Sequence, residues 1–124
     1  MEYKIKISSG DIEIDAKLND TSIAAKLRDI LPITANANTW GDEIYFEIPL
    51  EESLENPQEV VEAGDLGYWP PGQAFCIFFG ITPASRGTEI RAASSVTVIG
   101  KILGDAKIFK KTTSGEPITL ELSD

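Results

Sequence analysis

The chain has 124 residues, of which 42% are hydrophobic and 25% charged, an ordinary globular composition that excludes an intrinsically disordered protein. Its 20 acidic and 11 basic residues give a formal net charge of −9, which would repel phosphate groups and excludes a typical nucleic-acid-binding protein. The chain has no histidine and a single cysteine, Cys76, so a histidine-dependent catalytic triad and an intramolecular disulfide are both excluded.

The first third of the chain predicts a β-hairpin followed by one helix. Charged and apolar residues alternate over residues 2–7 and again over 12–18, which is typical of two half-buried strands joined by a turn. The apolar period then becomes helical, because isoleucine and leucine recur at helical spacing over residues 23–31. Asp20 and Thr21 are both good N-cap residues and Pro32 cannot continue a helix, so we expect the helix between these positions.

The rest of the chain predicts short strands separated by loops. Strands are predicted where apolar residues alternate or run together, over residues 43–48, 74–79, 95–103 and 118–122. Polar composition predicts a loop or a solvated helical turn over residues 51–62 and a surface loop over residues 82–93. A short helix is predicted over residues 104–111. Many short strands, one clear helix and no regular alternation of strand and helix favour a single, mainly β domain over residues 1–124. We expect it to be a closed barrel with the helix at one end.

The chain shows no targeting or membrane-spanning pattern. Its first seven residues alternate between charged and apolar side chains, unlike the apolar run of a signal peptide. No apolar run approaches the roughly 20 residues that a membrane helix requires. The sequence therefore predicts a soluble, cytoplasmic protein that binds neither membranes nor nucleic acids.

Residues 64–80 form the most distinctive segment of the chain. Five of the ten aromatic residues and the pair Pro70–Pro71 fall within it. Because prolines restrict the backbone, we expect residues 68–72 to form a rigid turn that holds Tyr68 and Trp69 in fixed orientations. The apolar run that follows predicts a strand covered on both faces, and Trp69–Pro70 is a candidate cis peptide bond.

A candidate ligand site can be assembled around this turn. Glu43 shares a strand face with Tyr45, and aromatic rings beside a carboxyl would exclude water and raise its pKa. Fixed aromatic surface favours binding, because little conformational entropy is left to lose. The candidate ligand-binding residues are Trp40, Glu43, Tyr45, Tyr68, Trp69 and Phe78.

Simpler interpretations of the same residues stay open. The neighbouring acids Asp42, Glu43 and Glu47 are also typical of a solvated face, and the aromatic rings could cap the end of the core. Cys76 lies within an apolar strand, where burial raises the pKa of a thiol and makes it inert. No metal site, cofactor site or catalytic residue is predicted.

Two stretches of the sequence resemble a known family. Residues 38–46 (NTWGDEIYF) and 64–80 (GDLGYWPPGQAFCIFFG) resemble the small prokaryotic cyclophilin-like family of uncharacterised proteins. Thr82–Pro83 and residues 93–100 (ASSVTVIG) fit the same pattern. The resemblance covers nearly the whole chain and implies a closed, eight-stranded cyclophilin-like barrel.

The chain departs from true cyclophilins at the residues that would carry their activity. The resemblance aligns residues 43–48 with the cyclophilin strand that contains the arginine needed for prolyl isomerisation, and this chain has no arginine there. The cyclophilin histidine and the Phe-Met-x-Gln set are also missing. The only arginines are Arg28, Arg86 and Arg91, of which the last two lie in the predicted loop over residues 82–93.

Three functional hypotheses follow. The first is a module that binds a small molecule or a peptide in an aromatic-lined pocket. The second is a divergent peptidyl-prolyl cis-trans isomerase, in which Arg86 or Arg91 would replace the missing arginine. The third is a partner or subunit of an amide- or lactam-cleaving enzyme, since similar barrels occur in such assemblies, and the aromatic surface would then contact another protein.

Overall fold

The computed structural model describes residues 3–123. Within this range the chain forms ten strands, one α-helix and two 3₁₀ turns. In chain order they are β1 Tyr3–Ser9, β2 Ile12–Leu18, α1 Ser22–Asp29, β3 Ile33–Asn36, β4 Asn38–Thr39, β5 Glu43–Glu47, β6 Gln58–Val61, β7 Asp65–Trp69, β8 Ala74–Phe78, β9 Ile90–Leu103 and β10 Pro117–Leu122. The 3₁₀ turns are Pro70–Gly72 and Ala106–Lys111. A mainly β fold with one clear helix is therefore confirmed.

All strand pairs are antiparallel, and most of them belong to one continuous sheet. The strand order is β3-β10-β1-β2-β9-β7-β8-β5-β4, and β6 pairs with β9 beside this path. The two end strands, β3 and β4, are separated in the chain only by Ala37, so the sheet curls until its ends adjoin. Among residues 3–123 no backbone pairing joins β3 to β4, and the closed eight-stranded barrel is not confirmed.

The predicted hairpin and helix are confirmed, and each forms for the expected physical reason. Ile5 and Ile7 of β1 are fully buried, while Lys4 and Lys6 lie on the other, more exposed face of the strand. Thr21 caps the helix, since its side-chain oxygen accepts a hydrogen bond of 3.2 Å from the backbone N–H of Ala24. The helix ends at Asp29, shortly before the cis peptide bond between Leu31 and Pro32.

Two predicted loops contain strand structure. Residues 51–62 were expected to form a loop or a helical turn, but β6 occupies residues 58–61. Residues 82–93 were also expected to form a loop, whereas β9 begins at Ile90 and continues for 14 residues. The two segments pair with each other, with Val61 opposite Ile90. Each is too short or too polar to show a strand period alone, and their mutual pairing supplies the missing stabilisation.

The segment over residues 64–80 is a hairpin. Asp65–Trp69 forms strand β7, which the composition did not predict, and Ala74–Phe78 forms the predicted buried strand β8. The connection is the 3₁₀ turn Pro70–Gly72, followed by Gln73 in a left-handed conformation with φ 47°. Trp69–Pro70 is not a cis bond, since the described cis bond falls at Leu31–Pro32.

Two hydrophobic clusters lie on opposite faces of the sheet. The main core lies on the inner face, where the rings of Phe46 and Phe75 stack with their centroids 5.3 Å apart. The second cluster, called here the outer cluster, contains Val61, Ala74, Cys76, Phe78, Ala92 and Val96. In the described part of the chain, no helix is long and apolar enough to cross a bilayer.

Candidate functional site

A cavity opens on the outer face of the sheet, above the outer cluster. Strands β5 and β8 pair so that Glu43 lies opposite Phe78 and Tyr45 lies opposite Cys76. Side chains alternate along a strand, so these four residues share one face, while Ile44 and its alternating neighbours enter the main core. Both faces of β5 and β8 therefore carry packed residues, which belong to the main core on one face and to the outer cluster on the other.

Residues from four parts of the chain line this cavity, which has a volume of about 200 Å³. The lining residues are Trp40, Glu43, Tyr45, Trp69, Ala92, Ala93 and Val96. The structure thus brings together four of the six candidate ligand-binding residues. Three rings and one carboxyl therefore face a common space whose remaining walls are small and apolar.

The orientation of Trp69 is fixed by contacts on two sides. Its indole nitrogen donates a hydrogen bond of 2.7 Å to the hydroxyl oxygen of Ser94. A Cβ atom added at Gly72 would lie only 3.0 Å from the six-membered part of the same ring. Because Gly72 has no side chain, the Trp69 ring can pack against the 3₁₀ turn. This packing agrees with the predicted rigid turn over residues 68–72.

Trp40 is held by a tight turn that is packed against the chain after β8. The backbone N–H of Trp40 donates a hydrogen bond of 2.9 Å to the carbonyl oxygen of Glu43, which closes the turn. Gly41 adopts a positive φ of 61°, and a Cβ atom there would lie 2.8 Å from Pro83. Only glycine fits this position without strain, so the turn sequence sets the position of Trp40 at the cavity.

Glu43 is the one carboxyl in the cavity, and its side chain is almost completely buried. It is 6% exposed, and burial raises its pKa from the ordinary value of 4.5 to about 7, although interaction with the Cys76 thiol lowers the pKa in part. Among the described residues, no ion pair involves Glu43. Near neutral pH this group can therefore hold or release a proton, and its charge has no cation beside it.

Cys76 lies next to Glu43 and is buried, as the apolar strand predicted. Burial raises the pKa of its thiol well above the ordinary value, and the charge of Glu43 and its hydrogen bond with the thiol raise it further. A thiol with so high a pKa is protonated at neutral pH and is a poor nucleophile. Cys76 therefore packs within the outer cluster and also contacts the carboxyl of Glu43.

The structure does not bring Tyr68 to the cavity. Tyr68 lies in the main core, on the face of β7 opposite to Trp69, and is fully buried. Its hydroxyl donates a hydrogen bond of 2.5 Å to the carbonyl oxygen of Leu50 and accepts one of 3.1 Å from the backbone N–H of Glu52. The Tyr68 hydroxyl therefore binds the loop that follows β5 to strand β7.

Phe78 lies below the cavity and does not line it. It is fully buried in the outer cluster, and a Cβ atom added at Gly67 would lie 3.2 Å from its ring. Sequence reasoning missed three lining residues, Ala92, Ala93 and Val96, because they were assigned to a surface loop or to the core. The signal that could have found them is the run of small residues before Val96, which leaves space between large rings.

The other polar candidates lie elsewhere. Arg91 donates from its Nε atom to Glu89 at 2.5 Å and lies 3.7 Å from Glu59, so its charge is paired away from the cavity lining. Arg86 is exposed and also does not line the cavity. Asp42 lies 3.7 Å from Lys110, and within residues 3–123 no group of three or more histidine, cysteine or acidic side chains could hold a metal ion.

These features define a mainly β protein whose curled antiparallel sheet encloses one core and carries an aromatic cavity on its outer face. The family model described as cyclophilin-like matches residues 3–121. The fold is also similar to the solution structure of the hypothetical protein AF2241 from Archaeoglobus fulgidus, with 39% sequence identity and a TM-score of 0.82. That match covers 98% of this chain and 95% of the archaeal one.

The chain therefore belongs to the cyclophilin-like family, as the resemblance of residues 38–46 and 64–80 implied. No curated protein matches the sequence. Membership fixes the fold but carries no activity with it, because one fold hosts many functions and function resides in the site.

Proposed function

We propose that this protein is a binding module that takes a small molecule, or one side chain of a peptide, into the outer-face cavity. The observation that carries the proposal is the meeting of Trp40, Tyr45 and Trp69 with the buried carboxyl of Glu43 around one space. A binding cavity is typically apolar and aromatic, with a few polar groups that fix the orientation of the ligand. The described lining has this composition.

The size and rigidity of the cavity support the same proposal. Its volume of about 200 Å³ is below the roughly 300–1,000 Å³ of cavities that hold drug-sized ligands. Its occupant is therefore a small molecule or a single side chain. The hydrogen bond from Trp69 to Ser94 and the tight turn before Glu43 hold two of the rings before any ligand arrives, which lowers the entropic cost of binding.

Two further expectations belong to this proposal. The closed barrel is supported by the position of β3 and β4, which lie at the two ends of the sheet yet follow each other in the chain. A cytoplasmic location is supported by a chain whose single cysteine is buried and unpaired, because secreted domains of this size commonly carry disulfides.

A fragment screen followed by backbone-amide chemical-shift mapping tests the proposed function. We expect the fragments that bind to shift signals of Trp40, Glu43, Tyr45 and Trp69 together, including the two indole N–H signals. Perturbations scattered over the surface that avoid these residues would contradict the proposal.

A matched pair of variants sharpens this experiment. Ala93 is exposed and lines the cavity, so Ala93→Phe should fill the opening and abolish fragment binding without disturbing the core. Ala63 is also exposed but does not line the cavity, so Ala63→Phe should leave binding unchanged. Equal binding by both variants would place the ligand outside the cavity.

A further inference from the structure

The charged groups of the cavity lining favour a cation over an anion. Glu43 supplies the only acidic side chain of the lining, and none of the lining residues is basic. The indole N–H of Trp69 is already used by Ser94, so this residue offers its ring surface and no donor. With a net charge of −9, the whole chain also attracts cations and repels anions.

Besides the charge of Glu43, three aromatic rings of the cavity lining can attract a cation. The face of an aromatic ring carries a negative quadrupole, which attracts a cation within about 6 Å of the ring centre. Trp40, Tyr45 and Trp69 all line this space, and they come from the turn after β4, from β5 and from the end of β7. Such an arrangement suits a cation that is bulky and apolar at its surface.

The nature of the cation follows from what the cavity lacks. A bare ammonium group carries N–H donors that each need an acceptor after leaving water. The side chains that line the cavity contain only two acceptor groups, the carboxyl of Glu43 and the hydroxyl of Tyr45, fewer than a bare ammonium group needs. The other lining residues are two tryptophans, two alanines and a valine. An alkylated ammonium group needs few or no acceptors and packs its methyl groups against rings. The buried carboxyl of Glu43, which has no described ion-pair partner, then becomes the counter-charge.

We propose that the ligand of the cavity is an alkylated ammonium cation, held between Trp40, Tyr45 and Trp69 with Glu43 as its counter-ion. This inference rests on the proposed function and names the chemical class that the same cavity selects. The trimethylammonium group is the expected recognised unit, either in a free small molecule or on a modified side chain.

The test compares choline with 3,3-dimethylbutan-1-ol, a neutral molecule of nearly the same shape in which carbon replaces the nitrogen. Titration followed by tryptophan fluorescence and chemical-shift mapping gives both dissociation constants. We expect choline to bind about tenfold or more tightly than the neutral molecule, which corresponds to one well-desolvated cation–π contact. Both molecules should perturb the same cavity residues.

Two variants with the same change in net charge separate recognition by Glu43 from general attraction. Glu43→Gln should weaken choline binding about tenfold and leave the neutral molecule unaffected. Glu47 lies on the same strand face but is exposed and outside the cavity lining, so Glu47→Gln should leave both affinities nearly unchanged. A loss of choline binding that is equal in the two variants would overturn the role given to Glu43.

The outcomes distinguish the inference from the proposed function. If the neutral molecule binds in the cavity as tightly as choline, the charge selectivity is wrong while the cavity remains a binding site. If neither molecule nor any screened fragment perturbs Trp40, Glu43 or Trp69, the proposed function fails as well. If choline perturbs residues only outside the cavity, the inference is contradicted, and the fragment screen decides the function separately.

Discussion

Glu43 shows how one residue can link the candidate ligand site to the stability of the protein. Its pKa of about 7 lies above the ordinary value of 4.5, so the folded protein binds more protons than the unfolded chain between these two pH values. Stability from this group is therefore fully present below pH 4.5 and is lost as the pH rises through about 7. Above that pH the buried carboxylate destabilises the fold unless a cation is present.

The substitution Glu43→Gln tests this linkage. We expect the variant to gain stability relative to wild type on going from pH 5 to pH 8, by at most about 3 kcal/mol, which is the free energy of the pKa difference. Urea unfolding at both pH values measures the effect. The control Glu47→Gln removes an exposed carboxyl and keeps Glu43, so its free energy of unfolding should fall between pH 5 and pH 8 as that of the wild type does. If the free energy of unfolding changed with pH equally in the two variants, the burial of Glu43 would be contradicted.

Tyr68 illustrates the opposite case, an aromatic residue whose role is structural. The substitution Tyr68→Phe removes the hydrogen bonds to Leu50 and Glu52 and keeps the ring. We expect a loss of about 1–2 kcal/mol in the free energy of unfolding, with ligand affinity in the cavity unchanged. A weakened affinity without a loss of stability would place the hydroxyl in the ligand site after all.

The sequence could predict which residue types would form the site, but not which side of the strand each one would take. Tyr68 and Trp69 are adjacent, so in a strand they point to opposite faces, and only Trp69 reaches the cavity. The composition of residues 64–80 suggested a turn at this point, and without the strand β7 this alternation could not be applied. Glu43 and Tyr45 were placed correctly together because their strand was recognised from its period.

At the scale of elements, β6 and the beginning of β9 determine whether the outer cluster is covered. Both lie in segments that were predicted to be loops, because residues 51–62 are acidic and residues 82–93 are mostly polar. Their pairing places Val61 within the outer cluster, which lies beneath the cavity. Such long-range pairing leaves no local period in the sequence, so this part of the site could not be predicted from it.

Neighbouring valines of β6 test whether this strand is packed as described. Val61 is 5% exposed and belongs to the outer cluster, whereas Val60 is 42% exposed. We expect Val61→Ala to lower the free energy of unfolding by about 1–2 kcal/mol, and Val60→Ala to change it by less than about 0.5 kcal/mol. Denaturant unfolding of the two variants provides the comparison, and equal effects would contradict the position of β6 over the outer cluster.

At the scale of the whole molecule, the sequence predicted a mainly β fold because strand periods are strong in its hairpin and final strands. The many short strands led us to expect a closed barrel, but they could not show the strand order, in which the end strands β3 and β4 follow each other in the chain. That arrangement depends on pairing between distant segments, such as β10 with both β1 and β3. The strand pairing and the cavity therefore had to be found in the structure.

The net charge of −9 gives the whole molecule a measurable influence on the ligand. A negative field raises the local concentration of a cation, and added salt screens that field. We expect choline to bind roughly threefold more weakly at about 200 mM salt than at about 20 mM, since the Debye length shortens over this range. Affinity for 3,3-dimethylbutan-1-ol should stay constant, and an equal salt dependence for both molecules would contradict an electrostatic origin.

The proposed function requires that the ligand binds in the cavity on the outer face of the sheet. The most direct measurement is a crystal structure of the protein with the tightest-binding molecule found among the fragments and ammonium compounds. We expect the electron density of that molecule to lie between Trp40, Tyr45 and Trp69 and to touch the carboxyl of Glu43. Electron density for that molecule elsewhere on the protein, with only solvent in the cavity, would contradict the proposed function.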